Sequence, residues 1–235
     1  MLRGLYSCEY GINDVSGRSV MHADAGKLLG GNSGFAHMGT YQEIDGEIAA
    51  EIVTERHNPD PNYKPLMGED VATITGRGRE GPDGSIRLEG SATPFPGALF
   101  WAVLTPIDDR IVPPPIARRE GGIVNGLYSI SLRTLDGIGG SLSGVMLLHD
   151  GRILGGDAFF YYLGSYSCAD GRWKGEIVNQ EHTPARGQIP VFGGHEVGIG
   201  FSGSYDAQGA ELDATALAGK RSLQLSAVLK LMRPA

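Results

Sequence analysis

Along this chain apolar and polar residues alternate with a period of two rather than 3.6, the pattern of half-buried β-strands. Hairpin chemistry cuts the runs. Asp45-Gly46, Asp83-Gly84, Asp150-Gly151 and Asp170-Gly171 each separate two strand-like segments, and Asp-Gly readily takes the positive φ values of two-residue hairpins. Asp24-Ala25-Gly26 and Asp206-Ala207-Gln208-Gly209 read as longer equivalents. In the first half this predicts strands near 4–10, 16–21, 27–31, 35–43, 46–55, 71–79, 85–92 and 97–106, and the second half gives the same eight. Consecutive antiparallel strands in an even set, with no crossover helix, favour an up-and-down barrel, which has no free edge. A two-sheet sandwich is the alternative.

The halves are copies of one unit. Gly4-Leu5-Tyr6-Ser7 recurs as Gly126-Leu127-Tyr128-Ser129, and Gly26-Lys27-Leu28-Leu29-Gly30-Gly31-Asn32 as Gly151-Arg152-Ile153-Leu154-Gly155-Gly156-Asp157, the offset growing from 122 to 125. At that second offset Phe35, Gly39, Tyr41, Gly46, Glu51, Ile52, Val53 and His57 meet Phe160, Gly164, Tyr166, Gly171, Glu176, Ile177, Val178 and His182. The chain therefore reads as an all-β protein of two tandem eight-stranded antiparallel up-and-down β-barrels, 1–107 and 124–235. Residues 108–123, with Pro113-Pro114-Pro115 and Arg118-Arg119, read as a stiff polar linker.

Two segments break the hairpin rhythm. His57 to Gly68 and His182 to Gly194 lie between the fifth and sixth strands of their halves and are rich in proline. Each is expected to fold over one mouth of its barrel as a plug. Before them, the Gly-Gly steps Gly30-Gly31 and Gly155-Gly156 end the third strands. They are expected to let a small barrel turn its corner, with Asn32 and Asp157 hydrogen-bonding their own turns.

Composition changes the picture mainly by exclusion. With 37 Gly, 13 Pro and 20% charged residues among 235, the chain is turn-rich. A net charge of -7 leaves no basic surface for phosphates, so no nucleic-acid partner is expected. No apolar run reaches the roughly 18 to 20 residues of a membrane helix, and no membrane partner is expected. Cys8 and Cys168 do not occupy equivalent places. Without a signal-like start after Met1, two free thiols in a cytoplasmic setting are expected.

Catalytic patterns are few. Gly76-Arg77-Gly78-Arg79-Glu80-Gly81 fits G-x-G-x-x-G, but Pro82-Asp83-Gly84 and another strand follow, where a dinucleotide site needs a helix N-terminus. His57 and His182 are equivalent, with Glu55 and Glu181 nearby. The period of two puts Glu55 and His57 on one face but separates Glu181 from His182, so no acid–base pair is preserved. Each histidine is expected to bond a loop carbonyl. His22, His37, His149 and His195 lack equivalents and read as surface or turn residues. No enzyme activity, cofactor or metal is expected.

Charge separates the halves most. Residues 1–107 carry 8 basic and 14 acidic side chains, net -6, and residues 124–235 carry 9 and 10, net -1. Part of the difference is the turn Glu43-Ile44-Asp45-Gly46-Glu47, which answers Cys168-Ala169-Asp170-Gly171-Arg172.

Gly-Leu-Tyr-Ser, a strand, Asp-Gly-Arg-Ile-Leu-Gly-Gly-Asp, aromatic residues and Gly-Ser-Tyr at 126–166 resemble the GrlR family of type III secretion negative regulators. The first half repeats the pattern more weakly. The resemblance implies an eight-stranded lipocalin-like barrel that dimerises and restrains a transcriptional activator through an acidic loop. That loop falls on Glu43, Asp45 and Glu47, which become the implied partner-binding residues, and the duplication implies a pseudo-dimer within one chain. A non-enzymatic, protein-binding regulator is the first functional expectation. The alternative is a carrier or sensor of a small apolar ligand inside a barrel, since eight strands can enclose either a packed or a hollow interior.

Overall fold

The computed structural model describes residues 2–110, 112, 121–135, 142–185, 192, 196–219 and 221–235. Pro113-Pro114-Pro115, Arg118, Arg119, Pro190, Gly194 and His195 lie outside them. The chain divides into two compact units, Met1–Asp108 and Asp109–Ala235.

The first unit runs β1 (Gly4–Ile12), β2 (Val15–Asp24), β3 (Lys27–Gly31), β4 (Phe35–Ile44), β5 (Glu47–Arg56), β6 (Val71–Glu80), β7 (Ile86–Ala92) and β8 (Phe95–Pro106). Each strand pairs antiparallel with the next, and β8 closes on β1, so the sheet is a closed barrel rather than a sandwich. The second unit repeats this with β9 (Gly126–Thr134), β10 (Leu142–His149), β11 (Arg152–Gly156), β12 (Phe160–Ala169), β13 (Arg172–Glu181), β14 (Val197–Tyr205), β15 (Gly209–Ala218) and β16 (Arg221–Pro234), β16 closing on β9.

The turns follow from residue chemistry. Asp45, Asp150 and Asp170 adopt φ of 53°, 49° and 51°, and the glycines after them are also left-handed at 72°, 80° and 71°, matching the two-residue hairpin that suits the twist of antiparallel strands. The G-x-G-x-x-G match at Gly76 lies on β6 and runs through a turn into β7, with no helix after it.

Alternate residues of every strand point inward and form one apolar core per barrel. In the first, Tyr6, Cys8, Met21, Leu28, Tyr41, Ile48, Ile74, Leu88, Phe100 and Leu104 meet, and Leu2 and Met67 are buried with them. Leu2 is fixed by Tyr41, whose hydroxyl donates to the Leu2 carbonyl at 2.5 Å. Met67 comes from the proline-rich segment after β5. In the second barrel Trp173, Phe201, Tyr166, Leu212 and Leu229 share a core with Ile123 and Phe192. Phe192 stands 125 residues beyond Met67, so both proline-rich segments bury a side chain in their own core. Ile123, at the end of the expected linker, is 2% exposed and belongs to the second core.

Candidate functional site

The Gly-Gly steps set the geometry of one end of each barrel. Gly30 pairs with Met21, and a Cβ there would lie 2.1 Å from the Val20 carbonyl oxygen; at Gly155 the distance to the Val145 oxygen would be 2.3 Å. Gly31 and Gly156 follow with φ of 151° and 157°. The turn residue after each step then accepts two backbone N–H bonds. Asn32 Oδ1 receives Gly34 and Phe35 at 2.9 Å each. Asp157 Oδ1 receives Phe159 at 2.7 Å and Phe160 at 2.9 Å.

Beyond this shared frame the copies diverge. In the second barrel Tyr162 donates its hydroxyl to Asp157 Oδ2 at 3.0 Å. Burial raises the Asp157 carboxyl above the usual range, against the opposing hydrogen bonds from Phe159, Phe160 and Tyr162. In the first barrel the residue equivalent to Tyr162 is His37, and the Asn32 amide is already committed: Nδ2 donates to the Tyr10 hydroxyl and to the Arg18 carbonyl, both at 3.0 Å. His37 is thus left without the partner that Tyr162 finds.

The reading of His37 as a surface or turn residue is overturned. It lies on β4 in phase with Tyr41, faces the barrel interior, and is 6% exposed. Neither ring nitrogen has a hydrogen-bond partner among the described residues. The ring instead meets Tyr10 edge-on, with centroids 5.6 Å apart. Burial lowers the imidazole from its usual 6.5 to about 4, nearby His57 adds to the shift, and the Ala36 backbone opposes it without hydrogen-bond geometry. At neutral pH the ring is uncharged.

His37 lines an internal cavity of about 50 Å³. Its walls include Met21, Ile52, Ile74, Leu88, Phe100 and Gly76, and its polar edge is His37, Tyr10, Cys8 and Ser19. Cys8 and Ser19 are cross-strand partners. Burial pushes the Cys8 thiol up to about 12, against an opposing hydrogen bond with Ser19, so it is a neutral thiol rather than a nucleophile. Burial also raises the Tyr10 phenol.

The cavity has a readable origin in side-chain size. Ala50 and Gly76 are cross-strand partners and both are small. Their counterparts Gly175 and Phe201 are also partners, and there the aromatic ring occupies the room that glycine leaves: a Cβ on Gly175 would lie 2.8 Å from the Phe201 ring. Trp173, where the first barrel has Ile48, packs on Phe201 with centroids 4.6 Å apart and donates its indole N–H to the Glu211 carbonyl. The second interior also holds Asn179, whose buried Nδ2 has no partner among the described residues.

A strap closes the end of the first barrel near His37. His57 Nε2 lies 2.9 Å from the Asn32 carbonyl, and burial lowers its imidazole against that bond. In the second barrel His182 Nε2 stands 3.4 Å from the Asp157 carbonyl. Arg56 holds the strap: Nε pairs with Asp70 at 2.6 Å, Nη1 donates to the Asn58 and Tyr63 carbonyls, and the guanidinium sits 4.8 Å over Phe35. Its counterpart, Glu181, instead accepts the Ala185 N–H at 2.7 Å.

Glu43, Asp45 and Glu47 come together at the β4–β5 hairpin, at the other end of the first barrel from His37. Asp45 is in the turn, Glu43 Oε2 accepts the Leu2 N–H at 3.3 Å, and Glu47 lies 4.0 Å from Arg77. Ile44 among them is 66% exposed. Beside the equivalent β12–β13 hairpin runs a groove of about 470 Å³, edged by Asp150, Cys168, Arg172 and Lys174.

None of the protein-family models searched matches the chain, and no curated protein does. Among solved structures it is similar to one described as "a putative outer membrane protein" from Bacteroides fragilis, at 11% identity and a TM-score of 0.26, covering 98% of this chain and 97% of that one.

Proposed function

We propose that this chain is a non-enzymatic binding protein that carries or senses a small, largely apolar ligand inside its first barrel. The observation that carries the reading is the cavity inside the barrel with the buried, unpartnered His37 imidazole in its wall. A buried polar group without a partner costs about 1–3 kcal/mol, so a molecule that answers it gains affinity. Divergence between the copies supports the same reading, because the second barrel places Phe201 and Tyr162 where the first has Gly76 and His37. The test is recovery of a bound molecule by solvent extraction and mass spectrometry from the chain purified from its native source. Gly76→Val, which adds a side chain at the cavity wall, is the control. A molecule recovered from the native chain and depleted in the variant supports the reading. Recovery of nothing, or of the same molecule from both, counts against it.

A second reading, docking of a protein partner at Glu43, Asp45 and Glu47, is favoured by Ile44. An exposed apolar side chain flanked by carboxylates suits a partner with an apolar pocket rimmed by basic residues. The resemblance to the GrlR family would make that partner a transcriptional activator. Replacing the three carboxylates by alanine is then expected to weaken the complex at least tenfold.

A further inference from the structure

We propose that the first-barrel cavity recognises the hydroxyl group of an uncharged ligand, with the His37 imidazole as its hydrogen-bond partner and the apolar walls around the carbon atoms next to it. This rests on the ligand-binding reading above and adds the chemical class.

Three observations restrict that class. Among the described residues no Asp, Glu, Lys or Arg lines the cavity, so an ionised group would be desolvated there with no opposite charge to offset the loss. The second concerns the partner. A neutral imidazole presents one N–H donor and one bare acceptor nitrogen. A hydroxyl can donate to the bare nitrogen or accept from the N–H, whereas a carbonyl answers only the N–H. The hydroxyl therefore fits either tautomer of His37.

Size is the third restriction. A cavity of about 50 Å³, against the roughly 10–15 Å³ that a single water occupies, takes a group of a few non-hydrogen atoms. This admits a short alcohol, or the hydroxyl-bearing end of a longer molecule. Met21 in the wall is unbranched and adaptable, which eases entry of a group of slightly different shape.

The experiment uses the full chain carrying labelled methionine methyls and ¹⁵N-labelled histidine, titrated with 2-propanol, isobutane and 1-octanol. Isobutane has the shape of 2-propanol with a methyl in place of the hydroxyl. The proposal expects 2-propanol to shift the Met21 methyl saturably and to move a His37 ring nitrogen, with isobutane leaving that nitrogen unmoved. In His37→Leu the preference for 2-propanol over isobutane should fall at least tenfold. Should the variant not fold, the His37 nitrogen shift in the native chain decides alone.

If 1-octanol reproduces the 2-propanol response, the hydroxyl end of a longer molecule is the natural source; if only 2-propanol does, a short alcohol is. Saturable binding of isobutane and 2-propanol with no His37 nitrogen response and an unchanged ratio in the variant would overturn the hydroxyl proposal and leave the cavity reading standing. Failure of all three probes to shift Met21 would remove the cavity reading itself.

Discussion

Gly76 on β6 and Phe201 on β14 hold the same place in their barrels. Each lies two residues beyond an isoleucine, Ile74 or Ile199, that pairs with the isoleucine of the preceding strand, Ile52 or Ile177. One position thus leaves space in the first barrel and fills it in the second. A Cβ on Gly76 would meet nothing nearer than the Leu88 Cβ at 3.4 Å, whereas on Gly78 it would lie 1.7 Å from the Arg87 carbonyl oxygen. Gly76→Ala should therefore raise stability by about 0.5–1 kcal/mol, through a less flexible unfolded chain. Gly78→Ala should cost several times that, and paired urea titrations of the two variants check the contrast.

Gly30 and Gly155 make a second comparison. Both sit against a neighbouring strand's carbonyl oxygen, too close for any side chain. Replacement of either by alanine is expected to destabilise its barrel by about 2 kcal/mol or more, by displacing β3 or β11 from its partner. Because the two positions are equivalent, the losses should be similar. A loss below about 0.5 kcal/mol at either would mean that the close approach is not needed.

The pH dependence of His37 has a fixed sign. Its imidazole is lowered from 6.5 to about 4 in the folded chain, so folding favours the neutral ring. The stability this brings is present above pH 6.5 and is lost as pH falls from 6.5 towards 4. Over that range the native chain should lose up to about 3 kcal/mol relative to His37→Leu. Parallel denaturant titrations at pH 7 and pH 4.5 would show it, and equal losses in both proteins would argue against a buried neutral ring.

Asp157 has the opposite sign. Its carboxyl is raised by burial, so the protonated form is favoured by folding. The associated stability is present at acid pH and is lost as pH rises through the folded value. Asn32 keeps the same two turn bonds with an amide. Asp157→Asn should therefore preserve the turn and gain on the native chain as pH rises from acid to neutral, which melting temperatures across that range would record. No change in the difference with pH would remove the buried-carboxyl account.

Much of the fold was legible because it depends on local chemistry. Asp45-Gly46 and Asp170-Gly171 mark left-handed two-residue turns, whereas at Asp83-Gly84 only the glycine is left-handed and the connection from Glu80 to Ile86 is longer; the strands between such pairs carry a two-residue period that sorts inside from outside. The strap was legible in the prolines after His57, whereas Met67 and Phe192, the side chains that it and its counterpart bury, emerged only from the packing of the cores. His37 was not, because an isolated histidine in a strand looks like surface unless its phase with Tyr41, four residues on, is followed. The committed Asn32 amide is a long-range fact: it depends on Tyr10 and Arg18 arriving from β1 and β2, which no short window contains. The Gly76–Phe201 difference sits openly at an offset of 125, but it means a cavity only once closure of the barrel turns both positions inward.

The most direct test of the central claim is diffraction from crystals of the full chain under xenon pressure. Xenon enters apolar cavities and scatters strongly enough to be located. The account predicts a xenon site in the first barrel, between Gly76 and the wall bearing His37, which Gly76→Val removes, and none between Trp173 and Phe201. A first barrel that takes up no xenon, or a second that takes up as much, would contradict it.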